Sequence, residues 1–217
     1  ANETPSYQCE YRLCQPNGQA RWVLSRGNVV ERDAQGRPVR MIGTLSDIHW
    51  RKHAEQFEQF RSRILEMLAG GEDLPTVLDA IVRGVEQLDP LVLCSILLLD
   101  PDGVHLRHGA APSLPDFYNE AIHGVAIGPS AGSCGTAMYT GERVIVTDIQ
   151  QHPYWHDYKE LAARAGLGAC WSQPVRAASG KVLGSFAIYH RQPHAPLEQD
   201  IQLIEQTARL VSIAIER

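Results

Sequence analysis

The sequence has 217 residues, 44% hydrophobic and 21% charged, with a formal charge of −5; this suits a globular chain holding one large domain, or a small one plus part of another. The acidic balance argues against a nucleic-acid-binding surface, and no apolar run nears the ~20 residues of a membrane-spanning helix. The N-terminus is polar with no hydrophobic leader, and five cysteines without CxxC spacing read as reduced thiols of a cytoplasmic protein.

Three β-rich runs open the chain. Tyr7 to Cys14 alternates apolar and polar side chains, Gln15-Pro-Asn-Gly18 supplies a turn, and Arg21 to Arg32 forms a second strand. Asp33-Ala-Gln-Gly36 makes a further turn, and a third strand lies between Pro38 and Trp50. Three strands in meander bury one face only, so an incomplete domain is expected.

A helix follows from Arg51 to Ala69. Trp50, His53, Phe57, Phe60, Ile64 and Met67 recur at steps of three and four, which fits either a coiled-coil seam between two copies or a face packed on a neighbouring domain. Gly70-Gly71 closes the helix. Asp73 caps the next helix, Leu74 to Leu88, which ends before Pro90.

Beyond it the pattern is mixed. Val92 to Asp100 is a nearly continuous apolar strand, returned through Pro101-Asp-Gly103 into Val104 to Ala111. Short helices are expected at Pro115 to Ile122, Ser133 to Tyr139 and Tyr154 to Ala165, with a strand at Arg143 to Thr147. A hairpin turns at Ala178-Ser-Gly180 between Ala169–Arg176 and Lys181–Tyr189, and a long amphipathic helix runs from Pro196 to Arg217. Helices around one antiparallel sheet define an α+β class.

Two resemblances follow from these residues. "NGQARWVLSRG" and "DAQGRPVRMIGTLSDIHWRKHAE" resemble the last three strands and exit helix of a PAS domain, with Asp47-Ile48-His49 where that family has Asp-Ile-Thr. Most of a PAS ligand pocket belongs to the half without counterpart here, so no separate sensing role is expected of residues 1–50. "GSCGTA", "GERVIVTDI", "AGLGACWSQPV" and "GKVLGSFAIY" resemble a bacterial GAF domain across 72–217, leaving 51–71 as a linking helix. The resemblance implies a sensory input module, not an enzyme in itself. Relatives of this kind sit in proteins ending in a cyclic-di-GMP synthase, a cyclic-di-GMP phosphodiesterase or a histidine kinase.

The resemblance implies a pocket between the sheet and the segments over it, with Phe117, Tyr118, Cys134, Tyr154, Trp155, Tyr158, Cys170, Trp171 and Ser172 as candidate lining. These residue types fit a small-molecule ligand and fit a filled core equally. The NKFDE constellation of cyclic-nucleotide-binding GAF domains is absent, and neither Cys134 nor Cys170 stands in a bilin-attachment context. His152 and His156 have metal-pair spacing, but Pro153 interrupts them and no third ligand follows; no metal or cofactor is expected. An enzymatic alternative is a GAF-type free methionine sulfoxide reductase using Cys134 and Cys170. That family's acidic stretch is replaced here by Trp171-Ser-Gln-Pro174, and the two thiols are expected to be reduced and unbonded.

The final helix repeats Leu197, Ile201, Ile204, Ala208, Val211 and Ile215 at steps of four and three, with a second stripe at Leu203, Leu210 and Ile213. The expected arrangement is a parallel homodimer through Phe57, Phe60, Ile64, Ile201, Ile204, Val211 and Ile215. The competing arrangement consumes both stripes within one chain.

Overall fold

The computed structural model describes residues 6–14 and 20–217. The chain divides into two compact units, Ala1–Gln59 and Phe60–Arg217, and its strands form two separate sheets. The turn expected at Gln15–Gly18 lies outside the described residues.

In the first unit, β1 (Ser6–Cys14), β2 (Ala20–Arg32) and β3 (Pro38–Asp47) form an antiparallel meander with β2 central. Its apolar burial is thin: Val23 and Leu24 are buried, whereas Val39, Met41, Ile42 and Leu45 of β3 are each at least half exposed. The third strand lies within the expected range and ends at Asp47. Asp47 there turns to capping, accepting from His49 N at 2.8 Å and from Arg21 Nη1 at 2.8 Å. Glu10 holds Arg51 and Lys52 at 2.5 and 2.6 Å, joining β1 to the first turn of α1 (His49–Gly70).

Helix α1 ends in a Schellman closure. Gly71 adopts φ +89°, its N–H bonds Leu68 O at 3.3 Å, and Glu72 N bonds Met67 O at 3.2 Å. Asp73 then accepts from Thr76 N at 3.0 Å to start α2 (Leu74–Leu88).

The second unit is built on the antiparallel order β5-β4-β8-β7-β6: Leu106–Ala110, Val92–Leu99, Val182–His190, Ala169–Arg176 and Val144–Val146. Strand alternation sends successive residues to opposite faces. On one face, Cys94, Ile96, Trp171, Val175, Phe186 and Ile188 pack with Ile64 and Leu68 of α1, the Val77/Leu78/Ile81/Val82/Val85 stripe of α2, and α6 (Glu198–Glu216). The other face holds a second core with α3 (Asp116–Ile122), α4 (Gly132–Thr140) and α5 (Lys159–Arg164).

Two expectations change here. The helix read from Tyr154 to Ala165 is a 3-10 turn, Pro153–Tyr158, followed by α5. His152 Nδ1 accepts from Tyr154 N at 3.2 Å, Pro153 opens the turn, and Tyr158 at φ −118° interrupts the α geometry. On α6, Ile204 and Val211 are fully buried within the chain, Ala208 and Leu210 nearly so, while Ile213 of the second stripe is half exposed. The two stripes merge because a helix covering a sheet buries a wide face. Ile204 and Val211 are therefore core residues of this chain.

Candidate functional site

The floor of the site comes from the strands. Register places Ser95, Ala187 and Ser172 in one row across β4, β8 and β7, with Tyr189 opposite Cys170 in the next row and Ser185 opposite Pro174 beyond. Ser95, Ser172, Ser185, Cys170 and Tyr189 are all essentially buried. A polar floor beneath an apolar core is costly unless its groups find partners.

Helix α4 lies on this floor. Gly132 enters it at φ +62°, a conformation a side chain disfavours. A Cβ at Gly135 would stand 2.6 Å from Ala131 Cβ, so the helix entry is tight. Ser133 accepts from Trp155 Nε1 at 2.9 Å and donates to Cys170 O at 3.2 Å, bolting the 3-10 turn to β7. Cys134, in the first turn, puts Sγ 3.6 Å from the Tyr189 hydroxyl, which also meets Ser95 Oγ at 3.1 Å. The Tyr118 ring meets Tyr189 edge-on, centroids 6.2 Å apart.

Two hydroxyls complete the setting. Ser172 and Ser185 Oγ are buried without a hydrogen-bond partner. Polar neighbours in the floor, Cys170 foremost, hold the Cys134 thiol below its ordinary value against the opposing effect of burial. Burial pushes the Cys170 thiol well up. Both thiols are free.

Above Cys134 is a cavity of about 30 Å³, lined by Leu97, Leu106, Tyr118, Ile122, Val125, Ala131, Gly132, Ser133, Cys134, Trp155, Tyr158, Leu161 and Tyr189. Such a volume holds a molecule of two or three heavy atoms, since one water needs ~10–15 Å³ on this measure.

Of the expected lining residues, Tyr118, Cys134, Trp155 and Tyr158 meet at the cavity. Cys170 and Ser172 lie beneath it in the floor. Phe117 and Tyr154 pack beside this core without lining the cavity; the Arg164 guanidinium stands 4.7 Å over the Phe117 ring. Trp171 is on the opposite face, because period-two alternation separates it from both strand neighbours. It packs against His190 and His194 (centroids 4.4 and 5.6 Å) and donates from Nε1 to His194 O at 3.1 Å. The helix residues divide similarly. Phe57 and Ile64 are buried, Phe60 and Ile215 pack partly against the helix-side core, and Ile201 is half-buried.

Sequence reading missed Ser95, Ser133, Ser185 and Tyr189. The signal was present in the alternation of "GSFAIY", which sends Ser185, Ala187 and Tyr189 to one face, and in Ser95 as the lone hydroxyl within "VLCSILLL". Of the histidines, His152 caps the 3-10 turn and His123 Nδ1 accepts from His108 N at 3.2 Å. Among the described residues, no group of three His, Cys, Asp or Glu could hold a metal ion.

A five-stranded antiparallel sheet with long helices on one face, and short helices over a small cavity on the other, is the architecture of a GAF domain. The GAF domain family model matches residues 71–216, and the chain belongs to that family; a PAS-fold model matches residues 1–45. Over 207 residues the chain is 39% identical to the methyl sulfide methyltransferase-associated sensor of Methanosarcina acetivorans, covering 95% of this chain and 21% of that protein. The chain thus spans about a fifth of that relative's length. Among solved structures, the GAF domain of a Coxiella burnetii phosphoenolpyruvate-protein phosphotransferase aligns at TM-score 0.61 and 17% identity, covering 75% of this chain and 94% of that one. Free methionine-R-sulfoxide reductase of Neisseria meningitidis aligns at TM-score 0.58 and 17% identity, covering 76% and 88%. At these identities the likeness is one of fold.

Proposed function

We propose that the chain is the input segment of a multidomain signal-transduction protein, acting as a homodimer through its flanking helices. Its output would be a cyclic-di-GMP synthase or phosphodiesterase, or a histidine kinase, and its setting the cytoplasm. The observation that carries the reading is the division of labour across one sheet. The cavity and Cys134 occupy one face, while α1, α2 and α6 pack on the other. Single strands serve both: on β7, Cys170 faces the site, and the next residue, Trp171, touches the segment leading into α6. A change at the site therefore has a short path through packed side chains to a terminal helix.

The second reading, a free methionine sulfoxide reductase, is favoured by one observation, the placement of Cys134 and Cys170 in the same core. Against it, a cavity of about 30 Å³ is too small for an amino-acid sulfoxide. Turnover of free methionine sulfoxide with a thiol reductant separates the two. The input reading predicts no catalysed turnover; turnover that disappears in Cys134→Ser would establish the reductase instead.

A further inference from the structure

Strand β8 ends at His190, and alternation sends this residue to the helix face with Phe186 and Ile188. Three rings meet there. The His190 centroid stands 4.4 Å from that of Trp171 and 4.4 Å from that of His194, and His194 stacks on Trp171 at 5.6 Å with 25° between the planes. The His190 Nε2 atom is buried and has no hydrogen-bond partner among the described residues. A neutral imidazole tolerates that position with an unprotonated nitrogen. An imidazolium, which donates from both nitrogens, does not. His194 belongs to the irregular segment 191–197 that leads into α6. It fastens that segment: its N–H donates to Thr147 O at 2.9 Å, and its carbonyl accepts from Trp171 Nε1 at 3.1 Å. Leu197 then serves as the N-cap of α6, its N–H held by Asp200 Oδ2 at 2.7 Å. A titratable ring, a buried nitrogen without a partner and the fastening of a terminal helix thus share one cluster.

We propose that the His190–Trp171–His194 stack is a proton-operated latch, closed while His190 is neutral and released when it is protonated, so that mild acid frees the segment entering α6. Release lets His190 Nε2 reach water and breaks the ring stack together with the two hydrogen bonds made by His194. The strands beside His190 present Val92, Ala169 and Trp171, none of which titrates. The charged and titratable groups facing it are His194 on the segment, Asp89 at the end of α2 and Asp200 in the first turn of α6. Burial first, then His194, depress the value of His190 in the closed state, and the two carboxylates oppose them without overcoming them. In the released state the imidazole returns towards ~6.5 and takes up a proton more readily than when closed. Closure is therefore fully favoured above that pH and weakens as pH falls from there through the lower, closed-state value. The latch goes beyond the input reading, since it gives α6 a second stimulus, reached from the helix face and independent of the cavity.

The test follows single hydrogen bonds in the full chain by nuclear magnetic resonance, from about pH 7.5 to about pH 5, on either side of the ordinary histidine value. Exchange of the His194 amide and of the Trp171 indole N–H, corrected for its intrinsic pH dependence, should quicken by about tenfold across that range. Amides within β8 should keep their protection, which marks the opening as local. His190→Phe keeps a ring in the stack and removes the titrating nitrogens, so both N–H groups should stay protected down to about pH 5. Where a phenyl ring prevents folding, His190→Gln, polar and uncharged, reads the same loss of pH dependence. Protection that does not change with pH in the parent chain overturns the latch. So does a loss shared in step with the β8 amides, or a loss of the same size in the variant that folds. All of these readouts concern the segment before α6 and leave the input reading to be judged by its own measurement.

Discussion

The Ser133 hydroxyl takes one hydrogen bond from Trp155 and gives one to the Cys170 carbonyl, and all three residues are buried. Removing it leaves the buried indole N–H without its acceptor. Ser133→Ala should therefore destabilise the chain by about 1–3 kcal/mol in urea unfolding, far more than a surface Ser→Ala. A second residue-scale expectation concerns His190, whose Nε2 is buried and unpartnered. Burial, then the neighbouring His194, hold its imidazole below the ordinary histidine value, with Asp89 and Asp200 opposing. A depressed folded value means that the unfolded chain takes up the proton first. This contribution to stability is complete above pH ~6.5 and is lost as pH falls from there through the folded value. The thermal midpoint should drop on acidification across that window, and less steeply in His190→Gln. These two residues differ in how readable they were. "GSCG" marks a tight turn but says nothing of Trp155, whose approach to Ser133 depends on how the 3-10 turn folds back.

At the scale of elements, alternation was legible and its consequences only partly so. The strands of the GAF sheet stand near their expected limits, yet Trp171 was read as pocket lining with Cys170 and Ser172, its two neighbours. Period two places it on the other face, and sequence alone does not say which face carries the site. The α6 stripes failed for a related reason: steps of three and four describe a coiled-coil seam and a sheet-covering face equally well. Ile204→Glu with Val211→Glu puts two charges into the helix-side core, so it should cost more than about 3 kcal/mol and unfold the GAF unit, not simply separate two copies. Circular dichroism and urea melts check this. Gly184 offers a backbone test. A Cβ there would collide with the Leu97 carbonyl oxygen of the paired strand, which cannot move aside as a side chain would. Gly184→Ala should lower stability by at least about 2 kcal/mol.

For the whole molecule, the meander and the GAF sheet were both legible from turn and periodicity signals, and the family from its motifs. The cavity's dimensions were not, because they depend on how loops and α4 settle over the floor. Homodimerisation is open to sedimentation at micromolar concentrations; with Ile204 and Val211 inside the core, it must use other positions on the flanking helices. A monomer at every reachable concentration contradicts the dimer for this chain. The central claim is that the face holding the cavity biases the helices on the other face. Val125→Leu, at the cavity wall, fills space without introducing charge and stands in for an occupied site. Amide hydrogen exchange on this variant and the parent chain tests the claim most directly. The account predicts altered protection along α6 and the Phe60–Gly70 part of α1, as well as around the cavity. A change confined to the residues lining the cavity, with α6 and α1 exchanging as in the parent, would contradict it.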